Sequence, residues 1–155
     1  MSKPAEILLN EVRYAERLCL RTARLYRKAQ SFGTWAAIVS ATAALSAVTG
    51  SAPKWLSVGG GIAFAMFGAA LIAMRPAEKA AANDQDAKRY AQLRTAAHGM
   101  DETTLQAALD KARETDSPEV EPLRDVAFND VLVEVGRTDL VVPLSPKQRL
   151  LATLA

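Results

Sequence analysis

The sequence predicts an all-α membrane protein with an amphipathic amino-terminal helix, a two-helix transmembrane hairpin and a helical cytoplasmic carboxy-terminal region. Two uncharged, largely apolar runs, residues 29–53 and 55–74, are separated only by Lys54. A hydrocarbon core about 30 Å thick takes roughly 20 helical residues, so each run is long enough to cross it. The three regions are predicted at residues 1–30, 31–75 and 76–155.

The apolar runs are rich in Ala, Gly, Ser and Thr rather than in Leu and Ile. A helical hairpin buried inside a soluble protein has a similar composition. However, a chain of 155 residues corresponds to about one domain. Because a core of that size could hardly surround two apolar helices of roughly 20 residues each, we favour the membrane interpretation.

The charges that flank the two runs predict that both termini are cytoplasmic. Basic residues lie on the side of the termini, at Arg21, Arg24, Arg27, Lys28, Arg75 and Lys79. The connecting turn carries only Lys54, and positive charge favours the cytoplasmic side. The first 28 residues carry charges throughout and contain no apolar signal-peptide core. We therefore expect a multi-pass protein whose first span is an uncleaved anchor.

The amino-terminal helix, predicted from about residue 5 to residue 30, carries a basic stripe. Its members are spaced by four, four, three and four residues and are Arg13, Arg17, Arg21, Arg24 and Lys28. This stripe is a candidate site for anionic lipid headgroups. The alternative is a solvated face whose back packs on neighbouring helices. Residues 1–31 carry a net charge of +4 and residues 76–155 a net charge of −4, so we expect the two regions to pack together.

The carboxy-terminal region is predicted to be helical throughout, beginning with a stalk from residue 77 to residue 98. Pro76 is expected to kink the chain before the stalk, and Gly99 to cap it. Further helices are predicted at about residues 101–114, 122–135 and 146–154. Residues 131–142 leave two possibilities open, a helix or a β-hairpin.

The residues available for catalysis are few. His98 is the only histidine and Cys19 the only cysteine, which excludes an internal disulfide and leaves no cluster with metal-ligand spacing. The glycines at 59–61 lie in an apolar run and cannot form a phosphate loop. Asp84 and Asp86 are expected to be solvated. We predict that the protein is not an enzyme, that it has no cofactor and no metal, and that it binds no nucleic acid.

Small residues in the second span form a candidate helix-contact face. Gly61, Ala65 and Gly68 lie on one narrow stripe together with Ile72, and small side chains let helix backbones approach closely. A stripe of larger side chains lies about 100° around the helix and is expected to face lipid. Its members are Phe64, Phe67, Leu71 and Met74.

Hydroxyl side chains in the first span form a candidate pore lining. Thr42, Ser46 and Thr49 are spaced by four and three residues, which gives a continuous stripe. They would line a polar path if several hairpins assembled, because two helices alone cannot enclose a pore. The alternative is that these hydroxyls bond back to their own helix or hold helices together.

The layout resembles the SLATT family, two-transmembrane effector domains associated with bacterial nucleotide-signalling and conflict systems. An arginine-rich helix (residues 15–28) leads into the first span and a tight hairpin. Two short motifs follow, Tyr90-Ala91-Gln92-Leu93 and Leu123-Arg124 with Ala127-Phe128-Asn129-Asp130. The resemblance covers about residues 8–154 and rests on this layout and these motifs.

The resemblance implies an oligomeric effector that permeabilises the bacterial inner membrane when an upstream sensor detects phage. It implies no catalytic residues. Because no nucleotide-sensing domain is fused to the chain, the signal would come from a separate sensor or nucleotide-signalling protein. The other partners expected are membrane lipids and further copies of the chain. Two alternatives remain, a non-conducting membrane adaptor that docks a cytoplasmic partner and a holin-like membrane-disrupting protein of a mobile element.

Overall fold

The computed structural model describes residues 5–46, 50 and 53–155, and within these residues every regular element is a helix. The all-α prediction is therefore confirmed for this part of the chain. Short 3₁₀ turns lie at Ala97–Gly99, Glu121–Leu123 and Thr138–Leu140. The α-helices are α1 (Ala5–Leu45), α2 (Lys54–Met74), α3 (Pro76–Ala96), α4 (Glu102–Arg113), α5 (Arg124–Glu134) and α6 (Pro146–Leu154).

The chain divides into two compact units. Unit 1 comprises Met1–Leu25 and Lys79–Ala155, and unit 2 comprises Tyr26–Glu78. The first part of α1 and most of α3 therefore belong to unit 1 together with α4, α5 and α6. The rest of α1, all of α2 and the start of α3 make up unit 2.

Unit 1 is built on two apolar clusters that share α1. One cluster joins Leu8, Val12 and Cys19 of α1 to residues of α3 and α4, and Tyr90 at its centre is fully buried. The other joins Leu18 of α1 to α5 and to the end of α6. Because successive helical residues point about 100° apart, neighbouring positions on α1 can serve different clusters. The amino-terminal part of α1 is thus the central helix of unit 1.

The segment that could have formed a β-hairpin is helical as far as Glu134. Gly136 has a positive φ of 76°, a conformation that glycine adopts at little cost. The Arg137 N–H donates to the Leu132 carbonyl at 2.8 Å, which closes the end of α5 as a Schellman-type cap. Residues 141–145 form no regular element, and α6 begins with a capping box between Ser145 and Gln148.

The expected stalk is instead part of the core of unit 1. Along α3, Ala80, Asn83, Ala87 and Tyr90 are all buried. The prediction that Asp86 is solvated is also wrong, since this side chain is buried beneath the segment that follows α4. The Ala-rich composition predicted the helix correctly, but it could not show that other helices would cover it.

The chain breaks between α2 and α3 at the position where Pro76 predicted a kink. Arg75 adopts a left-handed conformation (φ 44°, ψ 51°), and its N–H donates to the Leu71 carbonyl at 3.1 Å. A proline ring disfavours a right-handed helical conformation in the residue before it, so α2 cannot run on into α3. Both sides of this break lie within unit 2.

Candidate membrane-spanning and assembly surfaces

The most apolar surface of unit 2 belongs to α2. Among the described residues, one helix is long and apolar enough to cross a membrane, and only 11% of its most apolar stretch is buried. Ile72 is 78% exposed and Trp55 is 74% exposed. The first predicted span extends beyond the described part of α1, since residues 47–49 lie outside the described residues. A second span therefore stays a prediction.

The two helices of unit 2 approach most closely at two glycines. A Cβ atom at Gly60 would lie 2.8 Å from the Ser40 carbonyl oxygen, the Ala43 Cβ and the Ala44 backbone nitrogen. A Cβ at Gly33 would lie 2.6 Å from a methyl group of Leu71. Sequence reasoning missed both glycines. The position of the predicted turn could have pointed to them. The turn is centred near residue 52, and residues at similar distances before and after a turn lie opposite each other in a hairpin.

Aromatic and hydroxyl side chains complete this interface. The rings of Phe32 and Phe67 meet edge to face with centroids 6.4 Å apart. The Ser46 and Ser57 hydroxyl oxygens are 3.4 Å apart. Two members of the predicted lipid-facing stripe thus contact α1, since Phe67 meets Phe32 and Leu71 packs at Gly33. Contact of the stripe with lipid stays a prediction.

The predicted helix-contact stripe lies on open surface within the chain. A Cβ at Gly61 or Gly68 would meet nothing within 4 Å, and Ala65 is exposed. The close contact with α1 uses Gly60, which lies about 100° around the helix from Gly61. A contact role for the stripe would therefore require a second chain, and it stays a prediction.

The candidate pore-lining hydroxyls bond back to their own helix where the structure describes them. Thr42 donates to the Ile38 carbonyl at 3.0 Å, and Ser46 donates to the Ala43 carbonyl at 2.6 Å. These bonds agree with the alternative that the hydroxyls bond back to their own helix. Thr49 lies outside the described residues.

Three members of the basic stripe on α1 form ion pairs with α5. Arg17 donates to Glu134 at 2.7 Å, and Arg13 lies 4.0 Å from the same carboxylate. Arg21 holds Asp130 with two hydrogen bonds of 2.9 and 3.0 Å. The expected packing of the basic amino-terminal region against the acidic carboxy-terminal region is confirmed by these contacts. Arg13, Arg17 and Arg21 are thus already engaged by carboxylates.

The remaining members of the stripe, Arg24 and Lys28, have exposed side chains. A headgroup role for any of the five basic residues stays a prediction.

The ion pair between Arg17 and Glu134 has an electrostatic consequence, because the guanidinium lowers the pKa of the Glu134 carboxyl below its usual value.

The four-residue motif at 127–130 has a structural explanation at each position. Ala127 is fully buried in the second cluster, and Phe128 lines an apolar groove between α1 and α5. The buried Asn129 amide bonds both backbone groups of Val142, at 2.8 Å to its carbonyl and 2.9 Å to its N–H. Asp130 pairs with Arg21. The motif thus joins α5 to α1 and to the segment before α6.

A polar network on α3 holds the segment that follows α4. The buried Asp86 carboxylate accepts from Arg89 and from the Ser117 N–H at 2.9 Å. The Tyr90 hydroxyl donates to Asp116 at 2.5 Å, and burial raises the pKa of both groups. Burial also raises the pKa of the neighbouring Cys19 thiol to about 12. These contacts hold the segment after α4, and the Tyr90 side chain is completely buried.

Among the described residues, no group of three or more His, Cys, Asp or Glu side chains could hold a metal ion. His98 is exposed in the turn after α3. In comparisons with protein-family models, with curated proteins and with solved structures, nothing matches this chain.

Proposed function

We propose that this chain is a multi-pass effector of the bacterial inner membrane that assembles into oligomers and permeabilises the membrane. The exposure of α2 carries the proposal. An apolar helix in the core of a soluble protein is mostly buried, whereas only 11% of the most apolar stretch of α2 is buried. Contiguous exposed apolar surface of this kind marks a membrane or an assembly interface. The resemblance to the SLATT family implies the same role.

Assembly is supported by the free side of α2. Gly60 is occupied by α1, while Gly61 and Gly68 are open to a second chain. In a bilayer, lipid tails are as apolar as the side chains, so association depends on close van der Waals packing at small residues. A second hairpin could approach this face without disturbing the contact at Gly60.

Permeation would follow from assembly, because one hairpin cannot enclose a path. The Thr42 hydroxyl is exposed and donates its hydrogen bond to the Ile38 carbonyl. It could therefore face a water-filled path in an oligomer without a structural change. The membrane placement expected from the flanking charges puts both termini, and thus unit 1, in the cytoplasm. A separate sensor or nucleotide-signalling protein would act on unit 1.

Ion leak from liposomes tests the proposal. The parent should release a trapped dye or dissipate an ion gradient, and Gly61→Leu with Gly68→Leu should abolish both the leak and oligomer crosslinking. Ala73→Leu is the matched control, because Ala73 is exposed and lies about 120° around the helix from Gly61 and about 140° from Gly68. Glycine variants that leak and crosslink like the parent would place the assembly face elsewhere.

Cysteine labelling tests the topology. With Cys19 replaced, a cysteine at Ser51 in the predicted outer turn should react with impermeant reagents in intact cells, and one at Thr153 should not. Ser51 lies outside the described residues, so this prediction depends on the flanking charges alone. Labelling at Thr153 in intact cells would contradict cytoplasmic termini.

A non-conducting membrane adaptor is the second candidate function. The groove between α1 and α5 in unit 1 has a volume of about 560 Å³ and is lined largely by apolar side chains, with Ile7 and Phe128 exposed at its surface. Such a groove suits an amphipathic helix of a partner. Regulated expression with a membrane-potential dye separates the two functions, since an adaptor would leave the potential unchanged.

A further inference from the structure

The short helix α6 is apolar on two opposite sides. Its inner side packs Leu151, Ala152 and Ala155 into the second cluster of unit 1. Its outer side carries Leu150, which is 62% exposed, and Leu154, which is 41% exposed. Residues four apart share a helix face, so the two leucines form one continuous apolar strip. A surface helix of a soluble domain needs only the inner strip.

The outer side of α6 is also basic. Residues 146–154 include Lys147 and Arg149 and no acidic residue. Lys147 lies three positions before Leu150 and therefore on the same face. Arg149 is exposed, and its Nε donates to the Leu144 carbonyl at 3.1 Å. It precedes Leu150 by one position and so lies about 100° around the helix from it. Leucines flanked by cations are typical of helices that lie in a membrane interface.

Contacts within unit 1 place α6 at the end of the unit from which α1 continues into unit 2. The Ala152 carbonyl accepts a hydrogen bond from Arg21 at 3.1 Å. Leu25, the last residue of α1 in unit 1, packs against the same cluster as Leu151 and Ala155. The next residue, Tyr26, begins the apolar unit 2. Within unit 1, α6 therefore packs on the same cluster as the last residue of α1 in that unit.

We propose that the outer face of α6 binds an anionic lipid surface, with Leu150 and Leu154 at the acyl boundary and Lys147 and Arg149 at the headgroups. This inference rests on the proposed membrane placement of unit 2 and adds a second, peripheral contact to it. The hairpin would already hold the chain at the bilayer, so α6 would meet the lipid surface at a high effective concentration. A weak contact through two leucines would therefore be occupied.

The ion pairs on α1 favour α6 as the site of this contact. Arg13, Arg17 and Arg21 are engaged by carboxylates of α5. On α6, by contrast, both cations and leucines are exposed. Binding to an anionic membrane surface becomes stronger when a helix combines positive charge with apolar area.

Lipid-located quenching on the full chain in vesicles tests this inference. In a Cys19→Ala background, an environment-sensitive fluorophore at Leu150→Cys should be quenched by spin-labelled phospholipids in vesicles containing phosphatidylglycerol. In vesicles of phosphatidylcholine alone, or with Lys147→Gln and Arg149→Gln, quenching should fall to the level of the control. The control is the same fluorophore at Lys111→Cys, an exposed position on α4.

The native tryptophans separate the possible outcomes. Trp35 and Trp55 are exposed in unit 2 and report on insertion of the hairpin. Quenched tryptophans with an unquenched Leu150 fluorophore would overturn the α6 contact and leave the proposed function standing. Unquenched tryptophans would overturn both. A Leu150 fluorophore that is shielded from lipid but crosslinks to a second chain would replace the lipid surface with a protein interface.

Discussion

Asn129 is a single side chain that joins two parts of unit 1. Its amide donates to the Val142 carbonyl and accepts from the Val142 N–H, so both backbone groups of an irregular segment are satisfied. An asparagine provides both functions in one plane, whereas aspartate provides only acceptors. Residues 141–145 form no regular element, so this contact helps to hold them in position.

Replacing Asn129 with alanine should lower the free energy of unfolding by about 1–2 kcal/mol, because two hydrogen bonds are lost while water can reach part of the freed backbone. Thermal unfolding of the purified protein in detergent measures the change. Val133→Ala, on the exposed side of the same helix, is the control. Equal stability of the two variants would show that the segment is held by its apolar contacts alone.

Cys19 should be unreactive in the folded protein. Its thiol is buried and its pKa is raised to about 12, so at pH 8 almost none of it is the nucleophilic thiolate. Maleimide labelling should be slow in mild detergent and fast after denaturation in SDS. A cysteine at Lys111 in a Cys19→Ala background should label quickly in both conditions. Rapid native labelling of Cys19 would mean that α1 separates from α3 on the timescale of the reaction.

At the scale of secondary-structure elements, the pairing of α1 with α2 depends on which neighbours surround each glycine. At Gly60 the nearest atoms include backbone atoms of α1, which cannot move aside without shifting the helix. At Gly33 the nearest atoms belong to the flexible end of Leu71. A side chain added at Gly33 can therefore be accommodated by a rotamer change, whereas one added at Gly60 cannot.

Gly60→Ala should destabilise unit 2 by roughly 1–3 kcal/mol, the usual cost of inserting a methyl group into a packed contact. Gly61→Ala is the matched control, since the neighbouring position is open within the chain. Thermal unfolding in detergent under monomeric conditions compares the two. If both alanines are tolerated equally, the helices do not approach at Gly60 as described.

At the scale of the whole molecule, the response to acid reports on the ion pairs that join α1 to α5. Arg17 lowers the pKa of Glu134 below its ordinary 4.5, so this carboxylate stabilises the fold above that pH and the stabilisation is lost as the pH falls through the lowered value. Asp116 acts in the opposite direction, because burial raises its pKa and protonation relieves the cost of keeping the charge buried.

Glu134→Gln should therefore make stability less dependent on pH below about 4.5, while reducing stability at neutral pH. Thermal unfolding between pH 3 and pH 7 measures this, and the difference from the parent should shrink as the pH falls. Glu114→Gln, which neutralises an exposed carboxylate at the end of α4, is the matched control. A constant difference at all pH values would indicate lost packing rather than a lost ion pair.

The sequence by itself determined the helices and the surface character of α2, because these depend on local properties. Apolar runs, capping residues, Gly136 and Pro76 act within a few residues of their own position. The tertiary structure alone decided that Gly60 rather than Gly61 meets α1, and that Asp86 is buried beneath the loop after α4. It also decided that Glu134 and Asp130 bind the arginine stripe. Such pairings depend on how each helix is rotated against its neighbour, and a one-residue step changes that direction by about 100°.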